Sequence, residues 1–154
     1  EPPAYATIFA QALARQSLGV VVKLPPVGWR PIAQAAWEAG IRCFHACNTL
    51  PVAQGGMSGK PLKSISLRVV AELRDAYPLA QIIGGGGVTG RADLDDFRRA
   101  GADHVAVASA LFWPGATRRF RRLAREAWLV TPHVAAPPPS QALSGPVEGT
   151  LGSP

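Results

Sequence analysis

The stretch from Gln81 to Ala110, QIIGGGGVTGRADLDDFRRAGADHVAVASA, limits what this chain can fold into more than any other. It opens with a short apolar run, Ile82-Ile83, that reads as a buried strand and breaks into four consecutive glycines, Gly84 to Gly87. Thr89 follows, and then Leu94, Phe97 and Ala100 recur at helical spacing, with Asp93, Asp95 and Asp96 in the early turns. Gly101 stops that helix, and His104 to Ala108 reads as a second buried strand ending at Ser109. Strand, Gly-rich turn, helix and strand in that order make a right-handed parallel crossover. A tight turn alone would account for some of the glycines. Four in a row exceed what a turn needs, and glycines at the carboxyl end of a strand let backbone N–H groups approach a phosphate closely, so an anion site is expected there.

The same alternation extends back along the chain. Tyr5 to Gln16 is Ala-rich with Ile8, Phe9, Ala12 and Leu13 at helical spacing. Gly19 to Leu24 is a β-branched run, hence a buried parallel strand, ended by Pro25-Pro26. Pro31 suits the first turn of a helix that reaches Ala39 and is capped by Gly40. Ile41 to Ala46 is the next strand, Cys47 to Pro61 a loop, and Leu62 to Ala76 a helix with Leu67, Val70, Ala71 and Leu73 inward. After the opening stretch comes a helix from about Ala116 to Trp128.

Four successive strand–helix units mean a parallel sheet. A complete (β/α)8 barrel takes about 250 residues, so four units are about half of one. A small doubly wound sheet is the structural alternative. Against it, polar or Gly-rich residues follow all four strands, at Lys23, Asn48-Thr49, Gly84–Gly87 and Ser109. One ring of strand ends is where a barrel carries its site.

A chain of 154 residues is long enough for one domain with a real core. The division expected is a folded unit over residues 1–129 and a tail over 130–154. The tail turns to Pro, Ala, Ser and Gly without periodicity or charge, so it is expected to be disordered or extended, and His133 within it carries no site signal. No apolar run approaches a membrane span, and Glu1-Pro2-Pro3 does not read as a signal peptide. A first residue other than Met suggests processing or a fragment and proves neither. Two cysteines, Cys43 and Cys47, with no others to complete a zinc site, read as reduced thiols of a cytoplasmic protein. The net charge of +6 is concentrated in Arg118, Arg119, Arg121, Arg122 and Arg125. Phe120, Leu123, Ala124 and Trp128 recur among them at helical spacing, which makes an amphipathic helix with a solvated basic face rather than a nucleic-acid site.

Five motifs in order carry a family resemblance: VKLPP from Val22, Asn48-Thr49, GGMSGKPLK from Gly55, IIGGGGV from Ile82 and AGADHVAVASAL from Ala100. Together they resemble the second half of dihydroorotate dehydrogenase, the FMN-dependent family of pyrimidine synthesis, over roughly Gly19 to Gly115. The resemblance implies an α/β fold of TIM-barrel type of which the last four βα units are present, a half-barrel with an irregular C-terminal tail. It implies FMN as cofactor and dihydroorotate as substrate. Lys23 then matches the strand-borne lysine that contacts the flavin ring. Asn48 matches the asparagine that contacts flavin and pyrimidine, with Cys47 and Thr49 beside it. Gly59 closes the Gly-Gly-Met-Ser-Gly loop, Gly84, Gly86 and Gly87 lie in the phosphate turn, and Ala108-Ser109 matches the last phosphate-contacting pair.

The departures are as informative. Only a short loop separates Thr49 from Met57, where the well-known branches carry a longer one, which implies a cut-down pyrimidine lid. Gly85 replaces an apolar residue. The family's first four strands are absent, and with them the Cys or Ser base that deprotonates dihydroorotate; neither Cys43 nor Cys47 matches it. The expected function is therefore FMN-dependent oxidation of dihydroorotate to orotate. This chain would supply flavin, phosphate and pyrimidine contacts, and another polypeptide or a second copy would complete the barrel and supply the base. The alternative is a non-catalytic half-barrel subunit serving assembly. A nearer rival is another pyrimidine-directed flavin barrel such as the dihydropyrimidine dehydrogenase flavin domain, for which no iron–sulfur cysteine pattern is present.

Overall fold

Apolar and β-branched runs become strands, and the Ala-, Leu- and Val-rich segments between them become helices, in the computed structural model, which describes residues 3–15 and 19–128. The tail expected from residue 130, with His133, lies outside the described residues. Helix α1 (Pro3–Arg15) leads to β1 (Val21–Leu24), α2 (Trp29–Glu38) and β2 (Cys43–Ala46). A hairpin follows, β3 (Leu50–Val52) with β4 (Gly55–Met57), then a 3-10 turn at Lys60–Leu62 that runs into α3 (Lys63–Ala76). Next are β5 (Gln81–Gly85), α4 (Arg91–Arg99), β6 (His104–Ala106), a 3-10 turn at Ser109–Phe112 and α5 (Ala116–Trp128).

The four main strands form one parallel sheet in the order β1-β2-β5-β6. That order is sequential. A doubly wound sheet needs a reversal of strand order at a switch point, and none occurs among the described residues. Nor do the strands close on themselves: β1 and β6 are the two edges.

Alternate residues of a strand face opposite sides, and here the two sides differ. Val22, Leu24, Phe44, Ala46 and Ile82 join one apolar cluster with Trp29, Ala33 and Ala36 of α2, Val69, Val70 and Leu73 of α3, and Phe97 of α4. Phe9 and Leu13 of α1 and Phe120 of α5 pack against its margins. Leu24, Phe44, Ile82 and Phe97 are each 0% exposed, and burying a side chain of that size is worth about 1.5–3 kcal/mol. On the other side Val21 is 49% exposed, Lys23, Gln81 and His104 are exposed, and Cys43, His45 and Ile83 are half-buried. Parallel sheets are ordinarily covered on both faces. Among the described residues this one is covered on one.

Two expectations need correction. The segment Cys47–Pro61 is not all loop, because Leu50–Val52 pairs antiparallel with Gly55–Met57. Pro51 and the Gly55-Gly56 pair hide that hairpin from a propensity argument. The strand expected over His104–Ala108 stops at Ala106, and Ala108 precedes the 3-10 turn that begins at Ser109.

Candidate functional site

The carboxyl ends of the strands bring three loops together. Gly59, which ends the loop after the hairpin, has φ 76°, and Gly86 and Gly87, which follow β5, have φ 109° and 77°. These are left-handed values that favour glycine. A Cβ on Gly87 would lie 2.8 Å from the Gly59 carbonyl oxygen and 3.2 Å from the Lys60 Cα. A Cβ on Gly59 would come within 3.9 Å of the Ser109 Oγ, beyond β6. Gly59, Gly87 and Ser109, from three different connections, therefore line one small space. Gly86 flanks it against Leu62 and Ser66, whose Cδ2 and Oγ would lie 3.1 and 3.2 Å from a Cβ there. Among the described residues, the Gly87 N–H, beyond the β5–β6 pairing, meets no acceptor, although Gly87 is buried. Buried donors are normally satisfied, so the space suits an acceptor-rich ligand.

Gly84 belongs to the other face. A Cβ there would sit 2.6 Å from the Phe97 Cδ1 and 3.1 Å from the Ala102 Cβ, so close packing of α4 accounts for that glycine. Ala108 is exposed at the rim, ahead of Ser109.

Cys47 follows β2, where the Ala46–Cys47 peptide bond is cis. Its side chain joins the core and its Sγ donates to the Ser66 Oγ at 3.3 Å. The Ser66 hydroxyl donates in turn to the Gly85 carbonyl, and the Cys47 N–H reaches the same carbonyl at 3.4 Å. Burial pushes the Cys47 thiol up, against the opposing pull of Ser66 and Lys23. The thiol is thus committed inward and protonated at neutral pH, not turned to the open face. Asn48 is exposed; its N–H donates to the Leu24 carbonyl at 2.9 Å, and its Oδ1 accepts the Thr49 N–H at 2.9 Å. Thr49 leans on the hairpin, its Oγ1 3.0 Å from where a Gly56 Cβ would be.

Lys23 lies on the open face, with His45 as its register partner on β2 and Ile83 beyond it. The His45 Nε2 would be 3.2 Å from a Cβ on Gly85, so the imidazole fills the room an apolar side chain at Gly85 would take. Partial burial, and then the Lys23 charge, hold the His45 pKa below its ordinary value. At neutral pH the open face therefore carries a cation from Lys23 and a neutral imidazole beside it.

His45, Ser66, Lys63 and Asp93 are the residues that motif reasoning passed over. His45 has the same parity in its strand as Lys23, so setting the two strands in register would have found it. Ser66 is the polar member of the inward stripe Leu62, Ser66, Val69, Val70 and Leu73, and it is fully buried. Lys63 and Asp93 meet only through the tertiary fold.

Comparison with known proteins bears on this arrangement. The family model for dihydroorotate dehydrogenase matches residues 3–126. The chain is 35% identical over 127 residues to the catalytic subunit of dihydroorotate dehydrogenase B (NAD(+)) from Latilactobacillus sakei subsp. sakei (strain 23K), covering 72% of this chain and 41% of that one. It is 38% identical over 130 residues to the corresponding subunit of Methanopyrus kandleri, covering 71% and 41%. Among solved structures it is similar to the crystal structure of DHODH in complex with ferulenol from Eimeria tenella, with a TM-score of 0.58 and 26% identity over 72% of this chain and 35% of that one. The chain thus spans less than half the length of these relatives.

Proposed function

The chain belongs to the dihydroorotate dehydrogenase family, and on that premise we propose that it is the C-terminal half of an FMN-binding barrel that oxidises dihydroorotate to orotate. Residues 1–129 are the barrel-forming unit in this proposal. The observation that carries it is the meeting of Gly59, Gly87 and Ser109 at the carboxyl ends of the strands, where the Gly87 N–H has no acceptor among the described residues. A phosphate suits this meeting point because the Gly87 N–H is left over there and glycines let the backbone come close to it. Gly59, Gly86, Gly87 and the Ala108-Ser109 pair would hold the FMN phosphate.

The flavin, when bound, supplies the hydride acceptor. Lys23 would present a cation to the flavin ring from the open face and favour negative charge developing there. Asn48 would offer its amide N–H2 to the pyrimidine, with Thr49 at the edge of the same loop. His45, neutral and wedged against Gly85, would keep water from the floor beneath the ring. Gly84 and the Cys47 side chain have packing roles in this account. The family's proton-abstracting base matches no residue here, so the polypeptide or second copy that covers the open face would bring it. One-sided coverage of a parallel sheet supports that division of labour.

Replacing Gly86, whose φ of 109° a β-branched residue tolerates poorly, with Val should distort the phosphate turn and weaken FMN binding by at least about tenfold in the assembled protein. Isothermal titration with FMN checks it, alongside a melting curve to verify folding. Unchanged affinity in a folded Gly86→Val protein would remove the phosphate assignment.

A further inference from the structure

Lys63 and Asp93 lie behind the glycine loops, and each reaches across the gap between α3 and α4. The Lys63 Nζ donates to the Asp93 Oδ1 and to the Asp96 Oδ2, both at 2.5 Å. The other oxygen of Asp93 accepts the Thr89 N–H at 2.7 Å, the Thr89 hydroxyl at 2.8 Å and the Gly90 N–H at 3.1 Å. Thr89 and Gly90 follow the Gly86-Gly87 turn after Val88. Lys63 opens α3, directly after the 3-10 turn that starts from Gly59, and the Leu62 N–H donates back to the Gly59 carbonyl at 3.0 Å. The Lys63 Cβ would lie 2.9 Å from a Cβ on Gly87. One ion-paired cluster therefore fixes the exits of both loops.

We infer that the Lys63–Asp93 pair is a positioning clamp that sets the spacing between the Gly59 and Gly86-Gly87 loops, and through it the grip on a ligand phosphate. The inference rests on the phosphate assignment above and deepens it. Two features separate the clamp from an ordinary surface pair. First, both side chains are partly covered, at 24% and 15% exposure, so the pair is screened less than a fully exposed one. Second, every hydrogen bond of the Asp93 Oδ2 goes to the segment that carries the glycine turn. Burial alone would raise the Asp93 pKa, but its bonds to Lys63 and Thr89 outweigh that and bring it down to about 2. The carboxylate is accordingly charged throughout the physiological range. Because Lys63 is engaged by two aspartates, it acts on the ligand through the loops and not as a phosphate-binding cation.

The test compares FMN with riboflavin, which lacks the phosphate. Titrate both against the wild-type assembled protein and its Lys63→Met, Lys63→Arg, Asp93→Asn and Gly86→Val variants. Wild type should prefer FMN. Lys63→Met and Asp93→Asn should each reduce that preference by about tenfold while leaving riboflavin affinity unchanged, and Lys63→Arg should restore part of it. A general loss of structure would weaken both ligands together. Should Lys63→Met not fold, Asp93→Asn, which keeps the side-chain shape, decides alone. A preserved FMN preference in folded clamp variants, with Gly86→Val abolishing it, overturns the clamp and leaves the phosphate site standing. A preference preserved in Gly86→Val as well overturns the phosphate site itself.

Discussion

At the amino ends of β5 and β6, Arg74 donates twice to the Gly101 carbonyl, at 3.0 and 2.9 Å, and also to the Pro78 and Ala80 carbonyls at 2.7 and 2.9 Å. It pairs with Asp103 at 2.7 Å, and the same Asp103 oxygen accepts the Ile82 N–H at 2.8 Å. At the carboxyl ends the pattern reverses. Among the described residues Gly87 keeps an N–H group without a protein acceptor, and Lys23 and Asn48 face outward. One end of the sheet has its polar groups satisfied internally; the other holds some in reserve. Barrel enzymes divide their ends in the same way, stability at the amino end and chemistry at the carboxyl end.

The largest effect that would sharpen this comparison is on stability. Arg74→Ala strips partners from three carbonyls and from Asp103, and should lower unfolding free energy by about 3 kcal/mol in a denaturant melt. FMN affinity per folded molecule should stay the same. A variant as stable as wild type but poorer in FMN binding would break the division between the ends.

A smaller effect is expected at the other end. Lys23→Met keeps the stem and deletes the charge, so the melting curve should hardly move. The flavin reduction potential should fall by tens of millivolts, with roughly 30 mV for each ~1.4 kcal/mol lost in a two-electron couple. His45 should titrate higher once the neighbouring charge is gone, because Lys23 contributes to its lowered pKa. An unaltered potential in the Met variant would mean that Lys23 does not address the flavin.

Much of this was legible in the chain itself. Hydrophobic period fixed the four strands and their helices to within a few residues, because each strand contributes a short apolar run and each helix an inward stripe. The glycine turn was visible as a run too long for a simple turn. The hairpin was not, since Pro51, Gly55 and Gly56 argue against strand and only pairing reveals it. Which glycine serves which purpose was equally hidden: Gly84 and Gly87 are three residues apart, yet one accommodates Phe97 and the other the Gly59 carbonyl. The Lys63–Asp93 contact spans 30 residues and depends on how α3 and α4 pack. Such long-range pairings leave no local periodicity.

The central claim is that this chain carries half of a site and requires a partner across its open sheet face. Among the described residues, its edge strands β1 and β6 have no further strand beside them, and such edges invite association. The most direct measurement takes purified residues 1–154 alone and records mass in solution, bound flavin and dihydroorotate oxidation. The account predicts self-association or aggregation and no turnover, because the base has no counterpart among these residues. A soluble monomer that holds FMN and oxidises dihydroorotate would contradict it.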